Sequence, residues 1–170
     1  ETELLNAMRA KFGTQLDGEF LGTLVRFIRG YAADEAPEEK ATDMLEAYLK
    51  WRAAENVDKL VRTDLENSEK FCAMWPQGIH GVDKLGHPVY VEQPCKTAPK
   101  ALMKTFTSEQ IVKYHIQMVE ALTRLKEVNR RESGKFLYKQ MVIMDLGGLS
   151  MGHLGSTFTD PLKLVIKIDQ

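Results

Sequence analysis

The residues able to do chemistry are scattered along this chain. Its four histidines are His80, His87, His115 and His153. They fall on different predicted elements, without the HExxH or Cys/His spacing that gathers a metal. Cys72 and Cys95 are the two cysteines, far apart and outside any CxxC pair. They read as free thiols of a reducing compartment, and no base stands beside either to make a thiolate. Asp145, followed by Gly147 and Gly148, occupies a strand-end position of the kind that holds magnesium in GTPases. The phosphate-cradling GxxxxGK[ST] loop that such a site requires is missing, so these residues are expected to shape a tight turn. No GxSxG elbow supports a hydrolase triad. His115 falls on an apolar helix stripe and reads as a hydrogen-bonded core residue. Hence no catalytic residue, metal ligand or cofactor is expected, and the chain reads as a non-enzyme.

Composition narrows the remaining classes. Of 170 residues, 44% are hydrophobic and 28% charged, proportions that suit a packed core and exclude wholesale disorder. Twenty-three basic residues oppose 24 acidic ones, for a net charge of −1. That balance leaves no broad basic surface, so nucleic acid is not expected as a partner. No apolar run approaches the roughly 18 residues of a membrane span. Glu1-Thr2-Glu3-Leu4 lacks both an initiator Met and a signal-peptide start, which reads as a processing boundary. The eight methionines sit mostly at core positions; their adaptable side chains also suit a pocket for a greasy ligand.

Around these residues the chain divides in two. Residues 1–74 carry helical periodicity and read as a small all-helical domain. From Phe20 onward, Leu21, Leu24, Val25 and Ile28 form one stripe, ending near Gly30. Pro37 suits a first helical position, with Glu38 and Glu39 at the positive end of the dipole. Ala41, Met44, Leu45, Tyr48 and Leu49 then point inward. Val57–Val61 and Ser68–Met74 suggest two shorter helices.

At Trp75-Pro76-Gln77-Gly78 the pattern changes, and residues 75–170 read as α/β. Ile79–Val82 and Pro88–Glu92 form a hairpin around Asp83–Gly86. Thr107-Ser108-Glu109-Gln110 is a capping box for a long helix that buries Ile111, His115, Met118, Leu122 and Leu125. Its other face carries Lys113, Glu120, Arg124, Glu127 and Arg131 to water. Phe136–Met144 is nearly all apolar and suits a central strand covered on both faces. Asp160-Pro161 marks an N-cap and first turn, with Leu162, Leu164, Val165 and Ile168 following. A buried strand and a helix without a return strand point to a fragment; a strand from a partner chain is the alternative.

The run Trp75-Pro76-Gln77-Gly78-Ile79-His80-Gly81-Val82-Asp83-Lys84-Leu85-Gly86-His87-Pro88-Val89-Tyr90 resembles the CRAL-TRIO family of phosphatidylinositol/phosphatidylcholine transfer type. Arg26-Phe27-Ile28-Arg29 and Tyr48-Leu49-Lys50-Trp51-Arg52 resemble its helical N-terminal domain. Thr107–Gln110 and Ile143-Met144-Asp145-Leu146-Gly147-Gly148-Leu149-Ser150 resemble the first half of its lipid domain. The likeness covers roughly residues 20–155 and rests on the order of the motifs.

This resemblance implies an α/β fold, with a small helical N-terminal domain (1–74) and the first half of a lipid-binding domain (75–170) whose mixed sheet floors an apolar cavity. It implies a phospholipid or other hydrophobic ligand, held singly and exchanged or presented at a membrane surface visited transiently from the cytoplasm. A protein partner is compatible with that role. Tyr90, Val119, Gln140, Val142 and Met144 match positions facing the cavity, and Gln140, Val142 and Met144 share one strand face by period-two alternation. Tyr31 stands where phosphatidylinositol binders have an arginine, and Gln140 and Val142 where phosphatidylcholine binders have Ser and Thr. The resemblance therefore implies no particular headgroup. The alternative is a protein-interaction or regulatory module with this fold and no lipid cargo.

Overall fold

The N-terminal periodicity is realised as helices in the computed structural model, which describes residues 1–16 and 21–169. The described chain forms two compact units, one of Glu1–Asp58 with Thr123–Tyr138 and one of Lys59–Leu122 with Lys139–Gln170.

In the first unit, α1 (Thr2–Phe12), α2 (Leu21–Gly30) and α3 (Pro37–Ala54) enclose a core of Met8, Phe12, Leu24, Phe27, Ile28, Ala41 and Leu45. The expected start of α2 at Phe20 lies outside the described residues. Pro37 opens α3, where its missing N–H costs nothing, and Glu38 and Glu39 occupy the first turn. Met44 departs from expectation. It flanks the stripe centred on Ala41 and Leu45 and is 37% exposed. Residues 123–138 add Leu137, buried, and Tyr138, whose Cβ would lie 3.4 Å from a Cβ placed on Gly22. Arg29 lies over the rings of Phe136 and Tyr138 and bonds both carboxylate oxygens of Glu1.

The short α4 (Val57–Leu60) precedes the second unit's α5 (Ser68–Met74). The expected hairpin follows, β1 (Gln77–Val82) antiparallel to β2 (Pro88–Glu92), with β1 starting at Gln77 rather than Ile79. Between Ile79 and Val82 the register slips. Gly81, at φ +69°, sits in this irregularity, where a side chain would be strained. After α6 (Pro99–Thr105), α7 (Ser108–Ser133) opens on the expected capping box. Thr107 Oγ1 accepts the Gln110 N–H at 3.2 Å, and Gln110 Oε1 accepts the Thr107 N–H at 2.9 Å. Residues 108–122 of this helix belong to the second unit and 123–133 to the first. Glu127, expected in water, is buried because Arg130 and Arg131 fold back over its carboxylate.

β3 (Met141–Met144) pairs parallel with β2, giving the order β1-β2-β3 and a mixed sheet. The expected central strand over Phe136–Met144 is shortened to these residues and lies outermost in the described sheet. Leu137 and Tyr138 pack in the first unit instead, and with one neighbour β3 stays half-exposed. α8 (Ser156–Asp169) starts earlier than expected, so Pro161 lies inside it rather than at its first position. The Gly155 carbonyl accepts the N–H groups of Phe158 and Thr159, which sets that earlier start. On this helix Val165 is buried, whereas Leu164 is 46% exposed. The second core joins Phe71, Trp75, Leu102, Phe106, Ile111, Tyr114, Phe158 and Val165. Its aromatic rings interlock: Phe71 stacks on Tyr114 at 4.1 Å and meets Phe106 edge-on at 5.4 Å. The α/β class, the helical N-terminal part and the mixed sheet are those the sequence leads one to expect.

Candidate functional site

Register assigns the side chains of the sheet to its two faces. Tyr90 pairs with Ile79 on one side and Val142 on the other, and Glu92 with Gln77 and Met144. Register partners share a face, so Gln77, Ile79, Tyr90, Glu92, Val142 and Met144 lie together. Met141 and Ile143, alongside Val89 and Val91, occupy the opposite face.

On the first face the two ends differ. Around β2 it is covered at Tyr90 and polar groups are paired, while Ile79 on β1 is 38% exposed. Tyr90 is 3% exposed, and its hydroxyl donates to Gln77 Oε1. Trp75 Nε1 donates to Glu92 Oε1 at 2.8 Å. Ile111 and His115 of α7 and Val165 of α8 complete a cleft of about 10 Å³, room for one water. Along β3 the same face is open: Val142 is 47% and Met144 53% exposed.

Sequence-predicted site residues are therefore only partly gathered. Tyr90 and Val142 are direct neighbours, and Met144 follows beside Glu92. Gln140, half-buried, lies one residue ahead of β3, and Val119 is half-buried on α7. Nothing in the sequence groups Trp75, Gln77, Glu92 and His115. Period two from Tyr90 places Glu92 on its face, but which helix covers that face is a tertiary matter with no local signal.

Beyond β3 the turn is built by Asp145. Its Oδ1 accepts the Gly147 N–H at 2.9 Å and its Oδ2 the Gln93 amide at 2.8 Å. These two bonds hold its carboxyl below the usual carboxylate range. The Asp-x-Gly-Gly spacing thus serves the turn, as expected. His80 is exposed, His87 bonds Asp83 at 3.1 Å, His115 lines the cleft and His153 bonds the Thr97 carbonyl. Among the described residues no three His, Cys, Asp or Glu side chains converge as a metal site.

Comparison with known proteins connects this sheet to a family. Residues 73–170 match the CRAL/TRIO domain. The chain belongs to the CRAL/TRIO domain family. Its relatives include the phosphatidylinositol/phosphatidylcholine transfer protein SFH13 of Arabidopsis thaliana, 33% identical over 86% of this chain and 23% of the relative. SFH7 of the same plant, with the same description, is 28% identical over 88% of this chain and 27% of its own length. The protein real-time of Anopheles gambiae is 30% identical over 78% of this chain and 19% of its own. The chain thus spans about a quarter of the length of these two plant relatives. The CRAL/TRIO match takes in the whole candidate site, from Trp75 through Met144.

Proposed function

We propose that this protein binds a single phospholipid or other hydrophobic ligand and exchanges or presents it at a membrane. The ligand lies in an apolar cavity floored by the Tyr90, Gln140, Val142 and Met144 face and walled by Val119. The helical N-terminal domain spans 1–74 and the lipid-binding domain begins at 75. One observation carries this reading: Val142 and Met144, about half exposed, extend the face of a fully buried Tyr90. The names of the plant relatives, which describe phosphatidylinositol/phosphatidylcholine transfer, support the same ligand class.

The energetics are adequate. Burying acyl methylenes gains about 0.8 kcal/mol each, so an apolar hollow competes with a bilayer. Among the described residues no helix is long and apolar enough to cross a membrane, which agrees with transient, peripheral contact. Carriage makes and breaks no bond, and no residue is given a catalytic role.

The test is transfer of fluorescent phosphatidylinositol and phosphatidylcholine between vesicles, together with mass spectrometry of co-purified lipid. Transfer above the spontaneous rate is expected, with roughly tenfold loss in Val142→Trp, whose ring fills the open face. No transfer and no co-purified lipid would overturn the reading in favour of a protein-interaction module.

A further inference from the structure

The segment joining β3 to α8 is fastened to the turn after β2 at three points. Gln93 bonds Asp145 at 2.8 Å. Gly148, at φ +96°, approaches so closely that an added Cβ would stand 3.2 Å from the Cys95 carbonyl oxygen. His153, 8% exposed, bonds the Thr97 carbonyl through Nε2 at 2.9 Å.

The imidazole also closes a capping box. Ser150 Oγ serves the His153 backbone, and His153 Nδ1 accepts the Ser150 N–H at 3.1 Å. In this motif the returning side chain is ordinarily Glu or Gln. Here it is an imidazole, which accepts at Nδ1 only while that nitrogen is bare. The bonding pattern fixes the tautomer. A carbonyl only accepts, so Nε2 carries the proton; a backbone N–H only donates, so Nδ1 must be bare. The Ser150 hydroxyl, 2.9 Å from Nδ1, can rotate and accept from a protonated ring. The Ser150 N–H cannot.

We propose that His153 is a pH-operated latch: protonation at Nδ1 sets two donors against each other and releases the Ser150 cap, while the ring stays on the Thr97 carbonyl. This inference does not rest on lipid binding. The groups around the ring offer no alternative partner. The 94–97 turn carries buried Cys95 and exposed Lys96. Asp145, at the strand end, is engaged by Gly147 and Gln93. On α8 the Phe158 ring stands edge-on at 5.5 Å and Asp160 is paired with Lys163 at 2.9 Å. Lys100 and Lys104 of α6 are exposed. Among the described residues no carboxylate bonds the imidazole, so none is present to compensate its positive charge.

The chain contains its own control. Thr107 and Gln110 form the same box with a side chain that does not titrate. Amide hydrogen exchange, corrected for the intrinsic pH dependence, is measured between pH 8 and pH 5. Protection at Ser150 and His153 is expected to fall roughly tenfold, the scale of losing one cap. Protection at Gln110 should hold, and His153→Gln should flatten the profile at Ser150. Protection at Ser150 that ignores pH, or falls equally in His153→Gln, overturns the latch. Nitrogen NMR of the wild-type ring decides the matter should that variant not fold. Bare Nδ1 at pH 8, protonating in step with the loss of protection, supports the proposal; a proton on Nδ1 at pH 8 refutes it.

Discussion

Replacing Glu127 with Gln tests whether a buried charge cluster stabilises the first unit. The Glu127 side chain is 9% exposed and accepts from Arg130 at 2.7 and 2.8 Å and from Arg131 at 2.8 Å. The Arg130 guanidinium, with Arg131 assisting and burial opposing, moves its carboxyl from 4.5 down to about 2. A carboxyl shifted that far contributes at most about 3 kcal/mol at neutral pH. Arg131 is 69% exposed, and solvent screening there reduces the figure to about 1–2 kcal/mol. The sign follows from the folded value lying below the unfolded one. Stability is complete above pH 4.5 and is lost as the pH falls from 4.5 toward 2. Gln keeps the shape and one acceptor oxygen but no charge. Urea unfolding, followed through the tryptophans (Trp51 lies in the first unit and Trp75 in the second), should show Glu127→Gln weaker by about 1–2 kcal/mol at pH 7. The gap should narrow through pH 4.5 to 2.5. Equal stability at pH 7, or an undiminished gap at pH 2.5, would refute the reasoning.

Three further substitutions, with Lys84→Ala as a control, probe the second unit. Thr107→Ala removes the oxygen that caps α7 and should cost about 1 kcal/mol in urea unfolding. Gly148→Ala meets both a φ of +96° and the Cys95 carbonyl oxygen, and should lower stability by about 1–3 kcal/mol. Trp75→Phe removes the indole N–H that donates to the charged Glu92 carboxylate; a loss of about 1–3 kcal/mol is expected, with little change if Lys84, on the exposed turn, is replaced by Ala.

Local chemistry made much of the fold legible. The Thr107 capping box, the hairpin between Gln77 and Glu92, and the helix over Ser68–Met74 all follow from short-range rules that the structure obeys. Expectations failed where tertiary packing decided. Phe136–Met144 has a strand's composition, yet Leu137 and Tyr138 are taken by the first unit, where Arg29 lies on the Tyr138 ring. Glu127 has a surface residue's identity, and the arginines three and four residues on make its burial tolerable. Asp160-Pro161 has the form of a helix start, but a start at Ser156 places both inside α8. At the candidate site the shared face of Val142 and Met144 follows from alternation, whereas the pairing that sets Tyr90 beside Val142 and the covering by Trp75 and α7 do not.

Under the lipid-binding reading, both ends of that face take the apolar part of the guest. Near β1 and β2 the polar groups are already paired, Tyr90 with Gln77 and Trp75 with Glu92. An apolar guest beside them orphans no donor or acceptor, so it avoids the desolvation cost that usually bars apolar groups from a polar floor. Val142 and Met144, about half exposed, would each gain on the order of 1 kcal/mol on being covered. An acyl chain's own methylenes contribute several times that sum. Under the lipid-binding reading, then, the protein supplies chiefly shape, and the guest supplies most of the driving force. Truncating Val142 removes little of that drive, while filling its space removes the room the guest requires. That asymmetry is why the transfer assay uses Val142→Trp rather than Val142→Ala.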